Sequence, residues 1–335
     1  MHGIRDFRLE NPSKPGILGD EVLVKVGAAG ICGTDLHFYR GEWEVKTPLV
    51  PGHEFSGTIA EVGKDVRGFE VGDRVVAEPN MVCGKCYFCL MSDRNFFCER
   101  LRAVGVDVDG AFAEYVKVKA QNVYRFPESL SFEEAALIEP LACCIRGLDR
   151  INIKAGDTVA IVGAGPIGLL LLQLVKMAGA SMVIQTDLDE KRLNFARELG
   201  ADFTVNVQDD DPVRVIRELT SGYGVDIAVE AVGSPEAITQ AMEVTRRGGH
   251  LNVFGVSPQN AVWTVKPFDL YSKELTITTS YRSPFTFQRA IKIASSGKLK
   301  LKPLISHVFP LDEIVRVFDM LDRKLEKTVK IIVKP

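Results

Sequence analysis

The chain lacks a run able to cross a bilayer: its longest apolar stretch, Ile167 to Val175, falls far short of the ~20 residues a spanning helix needs. No charged, then apolar, then small-residue leader precedes the first strand-like run, so no export signal is read and a cytoplasmic protein is expected. Excess charge is missing too. With 41 Lys and Arg against 44 Asp and Glu, the net charge of −3 gives no electrostatic reason to expect nucleic acid or an anionic membrane surface. Repeats of fixed period and low-complexity segments are absent, which excludes solenoids and compositional linkers. A disulfide framework is also missing, because the cysteines number seven and four of them crowd into Cys83 to Cys98. What is present is an ordinary globular composition, 46% hydrophobic and 25% charged, over 335 residues, enough for about two domains.

From Val22 to about Val118, short strand-like runs alternate with glycine turns: Glu21 to Val26, Gly57 to Val62, Asp73 to Ala77 and Ala113 to Val118. They predict a compact β-rich domain. After Pro140, strands alternate with helix-length segments. Strands are expected at Thr158–Val162, Met182–Thr186, Phe203–Val207, Asp226–Glu230, Leu251–Gly255 and Leu275–Ser280. Helices are expected at Pro166–Ala178, Glu190–Leu199, Pro212–Thr220 and Pro235–Arg246. Six strands with helical crossovers imply a doubly wound parallel α/β sheet. The tail from Phe285 predicts helices at Phe287–Ser295 and Leu311–Leu321 and a strand at Lys330–Val333.

Gly163-Ala-Gly165-Pro166-Ile167-Gly168 follows a strand and opens a helix, the context that gives a glycine pattern its meaning. Gly163 permits a tight turn, Gly165 lets the backbone approach a pyrophosphate, and Gly168 allows close helix-to-strand packing. Asp187 ends the next strand, 22 residues past Gly165, where its carboxylate would accept hydrogen bonds from ribose hydroxyls and repel a 2′-phosphate. NAD is therefore expected over NADP, with Arg192 as a nearby cation able to offset part of that preference.

Cys83, Cys86, Cys89 and Cys98 offer four thiolates within sixteen residues, the donor set of a closed structural zinc site. A second set is dispersed: Cys32, His53 with Glu54, and Glu139. Read singly, a Cys or His is more often packed than ligating. Together, mixed sulfur, nitrogen and oxygen donors suit zinc, and three protein ligands leave one position for a substrate oxygen.

Across nearly its whole length the chain resembles the medium-chain zinc-dependent alcohol dehydrogenase superfamily, in its polyol and threonine dehydrogenase branch. The motifs fall in that family's order: Gly-Ile-Cys-Gly-Thr-Asp at Cys32, Gly-His-Glu at His53, the cysteine cluster, Gly-Ala-Phe-Ala-Glu-Tyr, Glu-Pro-Leu at Glu139, then the glycine loop. The resemblance implies a GroES-like catalytic domain of residues 1–141 and 282–335, and a Rossmann NAD-binding domain of residues 142–281. It implies one catalytic and one structural zinc ion, with Cys32, His53 and either Glu54 or Glu139 holding the catalytic one. Asp35 matches the group that hydrogen-bonds the ligand histidine, Thr34 the hydroxyl that takes the alcohol proton, and His37 the group that passes it towards solvent.

The implied reaction oxidises a secondary alcohol of a polyol of the sorbitol or L-iditol type with NAD. Threonine or butanediol dehydrogenation is the closest rival, and a non-catalytic dinucleotide-binding protein the alternative of another class. Tyr281 and Arg282 match positions near the substrate pocket, Trp43 is a further lining candidate, and Cys143 and Cys144 read as core. A homodimer or homotetramer paired through Leu275 to Ser280 is expected. Two departures from the family stand out. Eight residues separate Cys89 from Cys98 where seven are usual, and Met1 stands where relatives carry a preceding strand.

Overall fold

Residues 1–91, 95–323, 325 and 328–335 are described by the computed structural model, and by internal contacts the chain divides into two compact units. One comprises Met1–Ala142 with Ser283–Pro335; the other is Cys143–Arg282.

In the first unit the strands are β1 (Glu21–Gly30), β2 (Glu54–Val62), β3 (Arg74–Ala77), β4 (Asn80–Met81), β5 (Arg102–Ala103), β6 (Tyr115–Lys119) and β7 (Val123–Arg125). The helices of this segment are α1 (Gly33–Arg40), α2 (Tyr87–Leu90) and α3 (Phe132–Ala136), and α4 (Ile138–Asp149) begins in it and continues into the second unit. β1 is buried along most of its length because it is paired on both edges, which is why its sequence is nearly continuous in apolar residues. One edge lies antiparallel to β2; on the other, Glu21 to Lys25 pair with β6 and Ala29 and Gly30 with the last strand. Val22, Val24, Val26, Phe55, Ile59 and Phe318 are among the residues of this unit's core.

The second unit contributes β8 (Thr158–Val162), β9 (Met182–Asp187), β10 (Phe203–Asn206), β11 (Val225–Glu230), β12 (Thr245–Val253) and β13 (Thr276–Thr279), separated by α5 (Pro166–Met177), α6 (Glu190–Glu198), α7 (Pro212–Leu219), α8 (Pro235–Val244) and α9 (Pro267–Lys273). The sheet is parallel throughout, in the order β10-β9-β8-β11-β12-β13. This is the expected doubly wound sheet. Strand order reverses between β8 and β11, so the carboxyl ends of these two strands form the crevice where such folds bind ligands. The chain then returns to the first unit with α10 (Phe287–Ser295), β14 (Ile305–Pro310), α11 (Ile314–Asp322) and β15 (Lys330–Lys334).

Three local expectations need correction. The helix expected to reach Arg246 ends at Val244, because Thr245 is already extended and β12 begins there rather than at Leu251. The helix expected from Leu311 opens with a tighter 3-10 turn at Leu311–Glu313 before α11. Helix α9 was not expected; Pro267 at its first position presets the helical φ, and Glu274 ends it in the left-handed region.

Among the described residues, no helix is long and apolar enough to cross a membrane.

Candidate active site

Strand pairing assembles the dispersed ligand set. Gly30 at the end of β1 pairs with Glu54 at the start of β2, so Cys32, just beyond β1, meets His53 and Glu54 across the ladder. Gly52, at φ 96°, makes the turn that delivers His53 to this point, and a side chain there would collide with Phe112. One sulfur, nitrogen or oxygen atom from each of Cys32, His53 and Glu54 lies within 4.8 Å of the others. Glu139, buried in the first turn of α4, stands outside this trio.

Carboxylates gather around the trio. Asp35 is fully buried; its Oδ2 accepts a hydrogen bond from the Cys32 amide at 2.9 Å, which caps α1 and fixes Cys32. Its Oδ1 faces His53 Nδ1 at 3.6 Å, and neither atom has a hydrogen-bond partner. The expected Asp35–His53 hydrogen bond is thus an ion-pair contact, too long for a hydrogen bond in this state. Burial opposes charge on His53, but the Asp35 carboxylate and then the Cys32 thiol hold its imidazole well above its ordinary pKa. A buried cluster that draws a proton onto histidine is one that favours a cation, and its sulfur, nitrogen and oxygen donors fit zinc.

Thr34 and His37 lie on α1 and are partly exposed. His37 Nδ1 is 2.6 Å from Glu42 Oε2, which leaves Nε2 free to exchange a proton. Trp43 packs edge-on against Phe38, with ring centroids 5.9 Å apart. Arg282 lies over the Tyr281 ring at 4.7 Å with its backbone at φ 60°. Cys144 is buried, in accord with a core role, and Cys143 is partly buried.

The second cluster is closed. Sulfur atoms of Cys83, Cys86, Cys89 and Cys98 all lie within 4.8 Å of one another, and none forms a disulfide. The 3.5 Å between Cys86 and Cys89 sulfurs and the 4.0 Å between those of Cys83 and Cys89 bracket the ~3.8 Å edge of a zinc tetrahedron with bonds of about 2.3 Å. Backbone amides of Cys89 and Glu99 draw the Cys86 thiol down to about 6, while burial and its neighbour Cys86 push Cys89 up to about 12. A thiolate is therefore available at neutral pH to begin metal capture. Of the eight residues between Cys89 and Cys98, 92–94 lie outside the described residues.

In the second unit, Gly163 follows β8 at φ 103°, and its amide donates to Thr186 O at 2.8 Å. A Cβ on Gly168 would stand 2.0 Å from Gly163 O, so α5 packs on the loop at a distance only glycine allows. A Cβ on Gly165 would meet nothing within 4 Å. Gly165 is the N-cap of α5, with Pro166 and Ile167 opening the helix, and it offers no capping side chain, whereas α6, α7 and α8 are capped by Asp189, Asp211 and Ser234. The helix N-terminus at the topological switch point thus keeps its amides for an anion, as a pyrophosphate site requires. Asp187 is engaged more than its position in sequence suggests: Oδ2 accepts from Ala164 N at 2.6 Å and Oδ1 from Asp189 N at 2.9 Å. Each oxygen keeps a lone pair for a ribose hydroxyl. Arg192 lies in the first turn of α6, partly buried.

Residues 19–128 match the alcohol dehydrogenase GroES-like domain family and residues 166–296 the zinc-binding dehydrogenase family. A sorbitol dehydrogenase of Bacillus subtilis is 37% identical, covering 100% of this chain and 96% of its own length. The chain belongs to the medium-chain zinc-dependent alcohol dehydrogenase superfamily. An L-threonine 3-dehydrogenase of the same organism is 39% identical over 92% of this chain and 89% of its own. A Sinorhizobium meliloti chain described as a zinc-binding dehydrogenase and solved with NADP superposes with a TM-score of 0.94 at 36% identity, covering 100% of this chain and 97% of that one.

This dehydrogenase also carries polar residues at its two sites that motif reading misses. Lys330, 3% exposed at the start of β15, forms an ion pair with Glu54 Oε2 and donates to Ile31 O at 2.9 Å. Burial opposes its charge, yet Glu54 and then Cys32 hold its ammonium above the ordinary lysine value. Gln185 Nε2 donates to Gly163 O at 2.9 Å and props the glycine loop. Glu230, fully buried at the end of β11, accepts from Val232 and Gly233 amides at 2.7 and 2.5 Å. The available signal is similar for Gln185 and Glu230: one polar residue inside or ending an otherwise apolar strand.

Proposed function

We propose that this chain oxidises a secondary alcohol of a polyol or sugar alcohol, of the sorbitol or L-iditol type, to the ketone with NAD as acceptor. The observation that carries the reading is the convergence of Cys32, His53 and Glu54 in one largely buried cluster of sulfur, nitrogen and oxygen donors, in a chain that also holds an uncapped dinucleotide helix. Names of relatives support the substrate class, since sorbitol and D-arabinitol dehydrogenases cover 95% or more of their own length against this chain at 37% identity.

Cys32, His53 and Glu54 would hold the catalytic zinc, with Glu54 rather than Glu139 as the carboxylate because only Glu54 belongs to the close trio; the four-cysteine cluster would hold a structural zinc. When bound, zinc supplies a Lewis acid that acidifies the alcohol, and NAD supplies the acceptor for its hydride. Thr34 takes the hydroxyl proton, and His37 carries it outward through Nε2, with Glu42 holding Nδ1 and steadying the imidazolium formed in passage. Asp35 holds the Cys32 backbone and faces His53, so both ligands are fixed before substrate arrives. Gly163, Gly165, Pro166, Ile167 and Gly168 receive the pyrophosphate of NAD, and Asp187 receives the adenosine ribose.

Threonine oxidation is the second reading, favoured by the 39% identity to an L-threonine 3-dehydrogenase. A panel of sorbitol, L-iditol, D-arabinitol, 2,3-butanediol and L-threonine at saturating NAD decides between them. The highest kcat/KM is expected for a polyol; turnover of threonine alone would overturn the assignment.

Cofactor choice has its own test. Asp187→Ala should raise the ratio of kcat/KM with NADP to that with NAD by about tenfold or more, since a carboxylate no longer opposes the 2′-phosphate. Damage to the loop through the lost Ala164 contact would weaken both coenzymes alike, so the ratio isolates the ribose role. An unchanged ratio would end it.

A further inference from the structure

β1 lies between β2 and β15, with Gly30 opposite Glu54 on one side and Ile332 on the other. Glu54 and Lys330 therefore come from strands on opposite sides of Gly30 and meet over it. Gly30 is what makes the meeting possible: a Cβ there would lie 2.4 Å from Glu54 Oε2 and 2.9 Å from Lys330 Cε. The ammonium has two protein anchors, Glu54 Oε2 and the Ile31 carbonyl, both beside Cys32. A buried cation thus grips one oxygen of the carboxylate grouped with Cys32 and His53.

From this arrangement we propose that Lys330 is a positioning residue that occupies Oε2 of Glu54, restricting that carboxylate to a single oxygen as metal ligand and keeping a coordination position open for the alcohol. The inference rests on the zinc reading above. Lys330 and the metal share one carboxylate: the lysine takes Oε2, and Oε1 is left for the metal. Without the ammonium, both oxygens can turn to the metal and the repulsion between two neighbouring cations disappears. Metal is then held more tightly, in a site with less room for substrate.

The test is Lys330→Met in the cobalt-substituted enzyme, read as visible absorption minus that of Cys32→Ser, so that the four-cysteine cluster cancels. Added coordination weakens the ligand-field bands of tetrahedral cobalt, so a weaker difference spectrum is expected. Release of zinc from this site to a chelator should slow by about tenfold, and kcat should fall while KM for NAD holds. In a Glu54→Gln background the same substitution should change neither spectrum nor release, because the lysine acts through Glu54. A Lys330→Met enzyme with the parent spectrum and release rate overturns the proposal while leaving the zinc reading intact. A parent enzyme without a Cys32-dependent cobalt spectrum overturns both. Should Lys330→Met fail to fold, Lys330→Leu, which also removes the ammonium and leaves Glu54 in place, carries the measurement with the same expected and overturning results.

Discussion

Cys32→Ser should leave the protein folded, with one zinc ion per chain where the parent holds two, and with activity reduced by about a thousandfold or more. The magnitude follows from what a Lewis acid contributes to alcohol acidification, several kcal/mol, with each 1.36 kcal/mol worth a factor of ten. Folding should survive because Cys32 is a partly exposed N-cap residue whose amide is held by Asp35 Oδ2, and serine keeps a side-chain acceptor at the same cap. Removal of a buried partner such as Lys330 is a different case. Metal analysis by mass spectrometry of the native protein, with activity measured on the same sample, checks the prediction. Cys98→Ser should do the converse: the other zinc goes, and the thermal midpoint falls, because that cluster pins a lobe of short helices and loops with little core of its own. Two zinc ions retained in Cys32→Ser would sink the ligand assignment.

Gly165→Ala and Gly168→Ala should separate a glycine needed by the coenzyme from one needed by the fold. At Gly165 the backbone is extended, at φ −71°, and an added methyl meets no protein atom within 4 Å, so the thermal midpoint should stay within about a degree or two of the parent. The methyl would nevertheless enter the space in front of the α5 amides, and affinity for NADH should fall by about a hundredfold. At Gly168 the methyl would lie 2.0 Å from the Gly163 carbonyl, a backbone atom that must shift, so stability should fall by about 1–3 kcal/mol together with NADH binding. Fluorescence titration with NADH and thermal unfolding of both variants supply the readouts. Unaltered NADH affinity in Gly165→Ala would remove the reason for placing a pyrophosphate there.

What motif reading reaches in this chain is set by distance along the sequence. β8, the loop at Gly163 and α5 are contiguous, and each announces itself by apolar run, glycine spacing and proline at the first helical position. The four-cysteine cluster is equally local. The trio of Cys32, His53 and Glu54 is less so: no spacing announces it, and only the order of several motifs points to it, since its meeting depends on the β1–β2 register. Lys330 escaped altogether. It touches Ile31 across 299 residues of chain, and a lysine heading the run Lys-Ile-Ile-Val reads as an edge-strand charge until β15 is seen against β1. Asp187 ends β9 where the strand pattern puts it, but its two bonds to Ala164 and Asp189 arise from loop geometry that the residue pattern does not specify. Helix α9 carries a weaker signal, because the proline that opens it serves a turn as readily as a first helical position.

The first unit is built from both ends of the chain, and this has a consequence for its biosynthesis. A ribosome working at about 5–20 residues per second completes β1 and β2 roughly 10–50 s before β15, and the second unit roughly 2–10 s before it. During that interval the four cysteines from Cys83 to Cys98, contiguous in the chain, already have all their partners and can take up metal. The carboxylate of Glu54 has no ammonium against it until the final strand docks on Ala29 and Gly30. A metal at that cluster can therefore be loaded on the nascent polypeptide, whereas the balance of charge around Cys32 and His53 is completed only once β15 has been made.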